Sequence, residues 1–162
     1  MGASTTITHA LLTIAAITLA AIFAFTIISK TTSLTSSISQ FIFSESQNLK
    51  TSITIIEVHY DSSLSCFVIY VKNTGSYSMP LSILNETDVY LGTYGSALNL
   101  YTYNPLGGAG HWNYTQYGVN NSSWDVGETL ALYLYNSTNV SPPYHVKIVL
   151  PSGIGGEIVE GG

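Results

Sequence analysis

ALLTIAAITLAAIFAFTII, residues 10–28, decides the fold of this chain because it contains no acidic or basic side chain. As an α-helix rising about 1.5 Å per residue, these nineteen residues would extend close to the ~30 Å of a bilayer's hydrocarbon core. The stretch predicts a membrane-spanning helix over residues 1–29, or a helix in an equally dry place. Small residues along it would let helices approach closely, namely Ala15, Ala16, Ala20, Ala21 and Ala24.

A cleaved secretory signal peptide is the first alternative to a permanent anchor. Such a peptide has a basic n-region and a shorter apolar run than this one. The residues before the run, MGASTTITH, contain no lysine or arginine. We therefore expect the apolar helix to remain part of the protein.

Residues 30–50 (KTTSLTSSISQFIFSESQNLK) keep apolar residues three or four positions apart, which predicts a helical stalk to about Asn48. Its polar side is serine and threonine, which are poor helix formers in isolation. Such a helix needs a surface to pack against, either its own β domain or the stalks of neighbouring subunits. The apolar stripe consists of Leu34, Ile38, Phe41, Ile42 and Leu49.

From Thr51 the apolar period changes from 3.6 residues to two, the period of β-strands. Short strands separated by turn residues predict an antiparallel sandwich of immunoglobulin-like architecture over residues 51–162, beginning with a hairpin. Turns are expected at 61–63, 73–76, 120–125 and 141–143, and an irregular Gly-rich loop within 92–110. The predicted strands are 51–60, 66–72, 80–84, 87–91, 98–103, 111–117, 128–135 and 144–150.

Composition limits the class of protein. The chain has 162 residues, of which 8% are charged, and a net charge of −5 without any arginine. That excludes a nucleic-acid binder, which needs a basic surface to displace counterions. The length allows one anchor and one compact domain. The single Cys66 cannot form an intrachain disulfide, and its apolar neighbours predict a small core residue.

N-glycosylation triplets indicate the orientation across the membrane, because every one of them lies in the C-terminal part. An N-terminus inside the cell and a C-terminal domain outside it agree with this distribution. The charge bias is weak, since Lys30 is the only charged side chain before Glu45. The acceptor asparagines are Asn85, Asn113, Asn120, Asn121, Asn136 and Asn139.

Aromatic residues are dense between positions 101 and 124, where they are interrupted by glycine and asparagine. They serve either strand packing or a docking surface, which Tyr and Trp favour. The candidate interface consists of Tyr101, Tyr103, Trp112 and Trp124, with Tyr114 and Tyr117 beside them.

Catalytic and metal-binding patterns are missing from the sequence. His59, His111 and His145 lie on different predicted strands without ligand spacing. The chain has no G-x-S-x-G elbow and no phosphate-binding Lys-Ser/Thr after its glycines. We expect no enzyme, no cofactor and no metal site.

Three stretches of this sequence resemble the archaellum group that comprises FlaF, FlaG and the archaellins. STTITHALLTIAAI (4–17) is similar to the opening of the FlaG family, and HVKIVLPSG (145–153) resembles the group's closing strand and turn. VIYVKNTG (68–75) resembles a strand and turn of its β domains. The family-like positions there are Tyr70, Val71, Lys72, Asn73, Thr74 and Gly75.

This resemblance implies a non-enzymatic stator element of the archaellum motor, anchored in the cell membrane by one span, with its β domain in the extracytoplasmic space. It implies self-assembly, a FlaF-like partner and an indirect link to the surface-layer protein. A heterologous contact between identical subunits can build the open helical filament that such assembly requires.

Two alternatives remain. The first is a pilin-like or archaellin-like filament subunit whose helix forms the fibre core. Leaders of that class place a basic residue and a glycine before the helix, and no lysine or arginine precedes Lys30. The helix is then uncleaved, unless the chain is a mature form with an added methionine. The second alternative is a surface-anchored carbohydrate-binding module.

Overall fold

A computed structural model describes residues 2–118, 121–136 and 140–161. The chain divides into two compact units, Met1–Glu45 and Ser46–Gly162. The first unit is most of one long helix, α1 (Gly2–Lys50). The second contains the last residues of that helix and every β-strand of the described chain.

The helix α1 is continuous for 49 residues, which corresponds to about 74 Å. Every side chain described from Thr5 to Glu45 is exposed. By length and composition this is a helix that could cross a membrane. The prediction of a continuous N-terminal helix is confirmed for residues 2–50.

The β unit consists of short strands, one long sheet and one small one. Eight strands form the long sheet in the order β1-β2-β8-β6-β5-β4-β9-β10, while β3 and β7 pair separately. All neighbours in the long sheet are antiparallel except β5 and β6, which form a short parallel pair. The strands are β1 (Ile53–Asp61), β2 (Cys66–Asn73), β3 (Met79–Pro80), β4 (Asp88–Thr93), β5 (Asn99–Tyr103), β6 (His111–Tyr117), β7 (Ser123–Trp124), β8 (Thr129–Tyr135), β9 (Tyr144–Val149) and β10 (Gly155–Glu160).

The long sheet folds over one hydrophobic core. Val71 of β2 and Leu132 of β8, from one half of the sheet, are buried in the same cluster as Val89 of β4 and Ile148 of β9 from the other. The two edge strands approach each other: a Cβ added to Gly156 would lie 3.4 Å from the Ile53 carbonyl oxygen. The predicted antiparallel-rich β-sandwich and its opening hairpin are confirmed.

One predicted strand is wrong. Residues 80–84 were expected to be extended, but only Met79–Pro80 is a strand, and Leu81–Glu86 is a 3₁₀ helix. Leu84 alone is fully buried within this helix, and the Thr87 amide closes it by donating to the Leu84 carbonyl at 3.2 Å. One fully buried side chain in a six-residue 3₁₀ helix is a pattern that the two-residue period of a strand does not describe.

Three features of the sheet were not predicted: β7 inside an expected turn, the parallel β5–β6 pair, and β10. The strand β10 is hard to predict from sequence because it begins with two glycines, and Gly is depleted in strands. Here Gly155 is required by close packing, since a Cβ would lie 2.3 Å from the Ile148 carbonyl oxygen across the ladder. In β1 a bulge between Ile55 and Glu57 shifts the alternation, which leaves Ile56 exposed.

Candidate functional site

The surface of α1 is apolar and has no cover within its unit. Its large apolar side chains between Thr5 and Glu45 are 50–74% exposed. Ala16, Ala20 and Ala24 follow at intervals of four and so lie along one side of the helix, while Ala15 and Ala21 lie off that line. An exposed apolar surface of this length requires lipid or other helices around it.

Hydroxyl groups along α1 find their acceptors within the helix. Thr18 donates to the Ile14 carbonyl at 2.6 Å, Thr26 to Ile22 at 2.8 Å and Thr32 to Ile28 at 2.9 Å. The same bond to the carbonyl four residues earlier is made by Thr13, Thr35 and Ser37. Hydroxyl groups that are bonded in this way can enter an apolar environment without losing a hydrogen-bond partner.

The predicted stalk stripe is exposed on the helix. Leu34, Ile38, Phe41 and Ile42 are 57–65% exposed, and Leu49, at the end of α1, is 88% exposed. Phe43, which the stripe left out, is 64% exposed on another side of the helix. This part of α1 is therefore apolar on more than one side, and neighbours on several sides would be needed to cover it.

Asn73, in the predicted strand-turn, joins three segments of the β unit. It is completely buried, and its Nδ2 donates to the carbonyl oxygens of Tyr77 and Trp124 at 3.0 Å each. Its Oδ1 accepts a hydrogen bond from the Gly75 amide at 3.1 Å. Its own backbone pairs with Gly127 and Glu128. A buried side chain with this many partners specifies the local fold.

The residues after Asn73 bind the end of α1. The amides of Thr74 and Gly75 donate to the Ser52 carbonyl at 2.9 and 3.0 Å, and the Ser76 amide donates to the Lys50 carbonyl at 2.8 Å. A Cβ on Gly75 would lie 2.4 Å from the Lys50 carbonyl oxygen, which explains the glycine. The turn therefore satisfies a backbone carbonyl that the helix terminus leaves without an intrahelical partner.

Tyrosines cover the outer face of β2, β8 and β6. The rings of Tyr70 and Tyr117 are 6.1 Å apart, and burial raises the pKa of Tyr70. A hydrogen bond with Tyr117, together with burial, raises the pKa of Tyr133 to about 12. On β2, Lys72 lies half-buried, whereas the neighbouring Val71 faces the core. Beneath the rings lies a small buried cluster of Cys66, Val68 and Ala131.

The candidate aromatic interface lies mostly in the core. Tyr101, Trp112 and Trp124 are at most 2% exposed, and only Tyr103 is half-buried. The Trp124 indole donates to the Glu128 carbonyl at 3.0 Å, and the Tyr101 hydroxyl donates to Asn136 Oδ1 at 2.6 Å. This corrects the expectation of docking through these three rings, because the sheet folds over them and leaves no ring face for a partner.

The acceptor asparagines differ in their surroundings. Asn85 and Asn121 are exposed, and Asn113 is partly exposed on β6. Asn136 accepts the hydrogen bond from the buried Tyr101 hydroxyl. Asn120 and Asn139 lie outside the described residues.

The three histidines of the β unit each have a separate neighbour. His145 Nε2 lies 2.6 Å from Glu157 Oε1, His59 Nδ1 lies 3.2 Å from Glu57 Oε1, and His111 Nδ1 lies 2.9 Å from Thr102 Oγ1. Within the described ranges no group of three or more His, Cys, Asp or Glu residues is arranged to hold a metal ion.

Comparison with known proteins connects this architecture to a family. A family model described as archaeal-type flagellin matches residues 2–160. The archaellum periplasmic stator protein FlaG from Sulfolobus acidocaldarius has a similar fold, with a TM-score of 0.53, 24% identity, and coverage of 67% of this chain and 97% of that one. A chain in the FlaF and FlaG stator protein complex of the same organism matches with a TM-score of 0.54, 25% identity, and coverage of 67% and 87%. No curated relative matches the chain.

Proposed function

We propose a stator function in the archaellum for this chain, which belongs to the archaeal-type flagellin family. The observation that carries the proposal is the similarity of the chain, over 67% of its length, to the periplasmic stator protein FlaG, together with an N-terminal helix that is long and apolar enough to cross a membrane. A stator must be fixed at one end and must hold something at the other. The chain combines an anchor with a projecting domain, and it acts by binding rather than by catalysis.

The helix anchors the protein, with residues 1–29 in the membrane, 30–50 as a stalk and 51–162 as the extracytoplasmic domain. The apolar side chains and internally bonded hydroxyls of α1 support residence in lipid. The exposed Asn85 and Asn121, both in glycosylation triplets, support the outward orientation of the β domain.

The stalk mediates assembly with copies of the same chain. Its support is the exposed stripe of Leu34, Ile38, Phe41 and Ile42, together with Phe43 on another side. One contact repeated between identical subunits gives an open filament when its rotation does not close. A FlaF-like protein is the proposed partner of the β domain, because one of the similar solved structures is a complex of FlaF with FlaG. The surface layer would be reached indirectly through that partner.

An archaellin-like filament subunit is the second candidate, and the matching family model favours it. In that case the same apolar helix would lie in the core of a long fibre instead of a bilayer. A native protein with its N-terminus at Met1 or Gly2 supports the stator, whereas cleavage at a site with an upstream basic residue and glycine supports the filament subunit.

Affinity purification tests the function directly. The full chain with a C-terminal tag, extracted from native membranes, is expected to carry a FlaF-like protein with it. A single-pass membrane protein bearing the same tag is the control. Mass spectrometry of the captured chain also tests its orientation, since glycans on Asn85 or Asn121 require exposure outside the cell. Recovery of the chain alone, unglycosylated, would count against both proposals.

Changing Leu34, Ile38, Phe41 and Ile42 together to Ser is expected to abolish self-assembly, because each buried apolar side chain contributes about 1.5–3 kcal/mol to a helix contact in water. The measurement is the mass of the full chain in detergent micelles by light scattering. Ser62→Ala with Ser63→Ala, at exposed positions of the β unit outside the stalk, should leave the oligomer intact. If the unchanged chain and both variants had the same mass, the stalk would not be part of the interface.

A further inference from the structure

A polar groove of about 630 Å³ runs beside β6 and has no place in the stator function. It is lined by Tyr103, Tyr114, Asn113, Gln116 and Asn121, with Leu81, Pro105, Thr115 and Ser122. None of these side chains is charged. The volume is in the range of small-ligand sites.

The groove exists because β5 covers only the start of β6. The parallel pairing ends at Tyr103 with Trp112, so from Asn113 onward β6 has its ladder partner on the β8 side. A hydrogen bond bounds this unpaired edge of β6 at each end. The Asn104 amide donates to the Trp112 carbonyl at 2.9 Å, and Gln116 Nε2 donates to the Ser123 carbonyl at 2.7 Å.

The free stretch between these closures is too short for an added β-strand. Residues 113–115 extend about 10 Å at 3.3 Å per residue, whereas strands usually have five or six residues. The same length accommodates one or two pyranose rings. A compact ligand therefore fits this edge better than a peptide does.

The lining has the chemistry that a neutral sugar needs. The half-buried rings of Tyr103 and Tyr114, with centroids 5.9 Å apart, offer an apolar platform next to hydroxyl groups. Asn113 adds an amide donor and acceptor. The Asn121 amide instead supports the wall of the groove, because it donates to Asp125 Oδ2 at 3.1 Å and accepts from the Ser123 amide at 2.7 Å. Gln116 Oε1 is buried and has no hydrogen-bond partner among the described residues. The groups that cover this oxygen must shift before a ligand hydroxyl can pair with it and remove the cost of the unpaired acceptor.

A charged ligand is a poor fit. Phosphates and nucleotides require basic side chains or free amides at a helix N-terminus. The described lining has no basic side chain, and the amide of Leu81, the first residue of the 3₁₀ helix, already donates to the Ser122 carbonyl at 2.9 Å. Burial raises the pKa of Tyr114, so its phenol remains a neutral hydrogen-bond donor at physiological pH.

We propose that this groove binds a neutral oligosaccharide through Tyr103, Tyr114 and Gln116. The sugar has two possible sources, a glycan on a partner or the chain's own glycan on Asn113 or Asn121. The proposal is independent of the stator function, and failure of either leaves the other intact.

The test uses the full chain, produced in a bacterium without N-glycosylation and held in lauryldimethylamine oxide, a detergent without a sugar head group. Saturation-transfer NMR with N,N′-diacetylchitobiose, mannobiose and maltose is expected to detect at least one ligand, with a dissociation constant of about 1 mM. Tyr114→Ala should weaken that binding at least tenfold. Tyr94→Ala, which removes an exposed ring outside the groove, should leave it unchanged.

Thermal melting separates loss of binding from loss of fold. If Tyr114→Ala unfolds, Tyr114→Phe keeps the ring, and a severalfold weaker affinity then supports the proposal. No transfer from any sugar to the folded chain would overturn it, as would binding that Tyr114→Ala leaves unchanged. Glycosylated protein decides the source: if it no longer binds added sugar, its own glycan occupies the groove, and if it still binds, the sugar comes from a partner.

Discussion

Replacing Asn73 by Asp is expected to destabilise the β domain by about 3–5 kcal/mol, the range found when a buried charge is left unpaired. The Asn73 amide donates to two carbonyl oxygens at 3.0 Å, and an aspartate would place an anionic acceptor against both. For a domain of this size the loss corresponds to about 10–20 °C in melting temperature. Circular dichroism of the full chain in detergent measures it, with Asn85→Asp at an exposed position as the matched control.

The pH dependence of this variant provides a second measurement. Burial raises the folded-state pKa of the new carboxyl above its unfolded value of about 3.9. The penalty is therefore full at neutral pH and shrinks as the pH falls through the folded pKa. The variant should lie closer to the unchanged chain in stability at pH 4 than at pH 7. A melting temperature that matches the Asn85→Asp control at both pH values would contradict the role assigned to Asn73.

Introducing aspartate at Ile17 and Ile22 together is expected to prevent membrane insertion. Each charge at the centre of a spanning helix costs about 2.5–3.5 kcal/mol, so the pair lowers the insertion equilibrium by about four orders of magnitude. Both side chains are exposed on α1, at 64% and 62%, and no residue of their unit shields them. Flotation of the freshly synthesised chain with liposomes measures the result.

Leucine at both positions is the matched control for this prediction and should float like the original chain. The variant with two aspartates should remain at the bottom of the gradient. Flotation of the aspartate variant at the level of the control would show that lipid is not the environment of residues 10–28. The fibre core of an archaellin-like subunit would then become the better explanation of the apolar surface.

Periodicity predicted most of the fold. The change from helical to alternating spacing near Thr51 lies just after the observed end of α1 at Lys50. The first strand was predicted because its apolar residues alternate, and Ile53 and Ile55 are buried in the core. Sequence failed where another constraint dominates. Gly155 is needed in its strand because a Cβ there would collide with the backbone of the neighbouring strand, and Leu81–Glu86 is a 3₁₀ helix in which Leu84 alone is fully buried.

The candidate site was less predictable than the fold. The strand-turn motif was recognised, but its contacts with the end of α1 involve backbone groups that sequence patterns do not describe. The burial of Trp112 and Trp124 follows from how the sheet folds over, which is a long-range property. The groove beside β6 depends on where β5 stops, and only the unexpected parallel pairing reveals that. A density of Tyr and Asn was the one available signal.

The hydroxyls of α1 that donate to carbonyls one turn earlier give the helix the same internal bonding in every surrounding. Its passage from translocation channel to bilayer, or from bilayer to a bundle of its own kind, strips water from few polar groups. Exchange between these environments would require no new hydrogen bonds from these hydroxyls. The same helix therefore suits both the proposed membrane anchor and the fibre core of the alternative filament subunit.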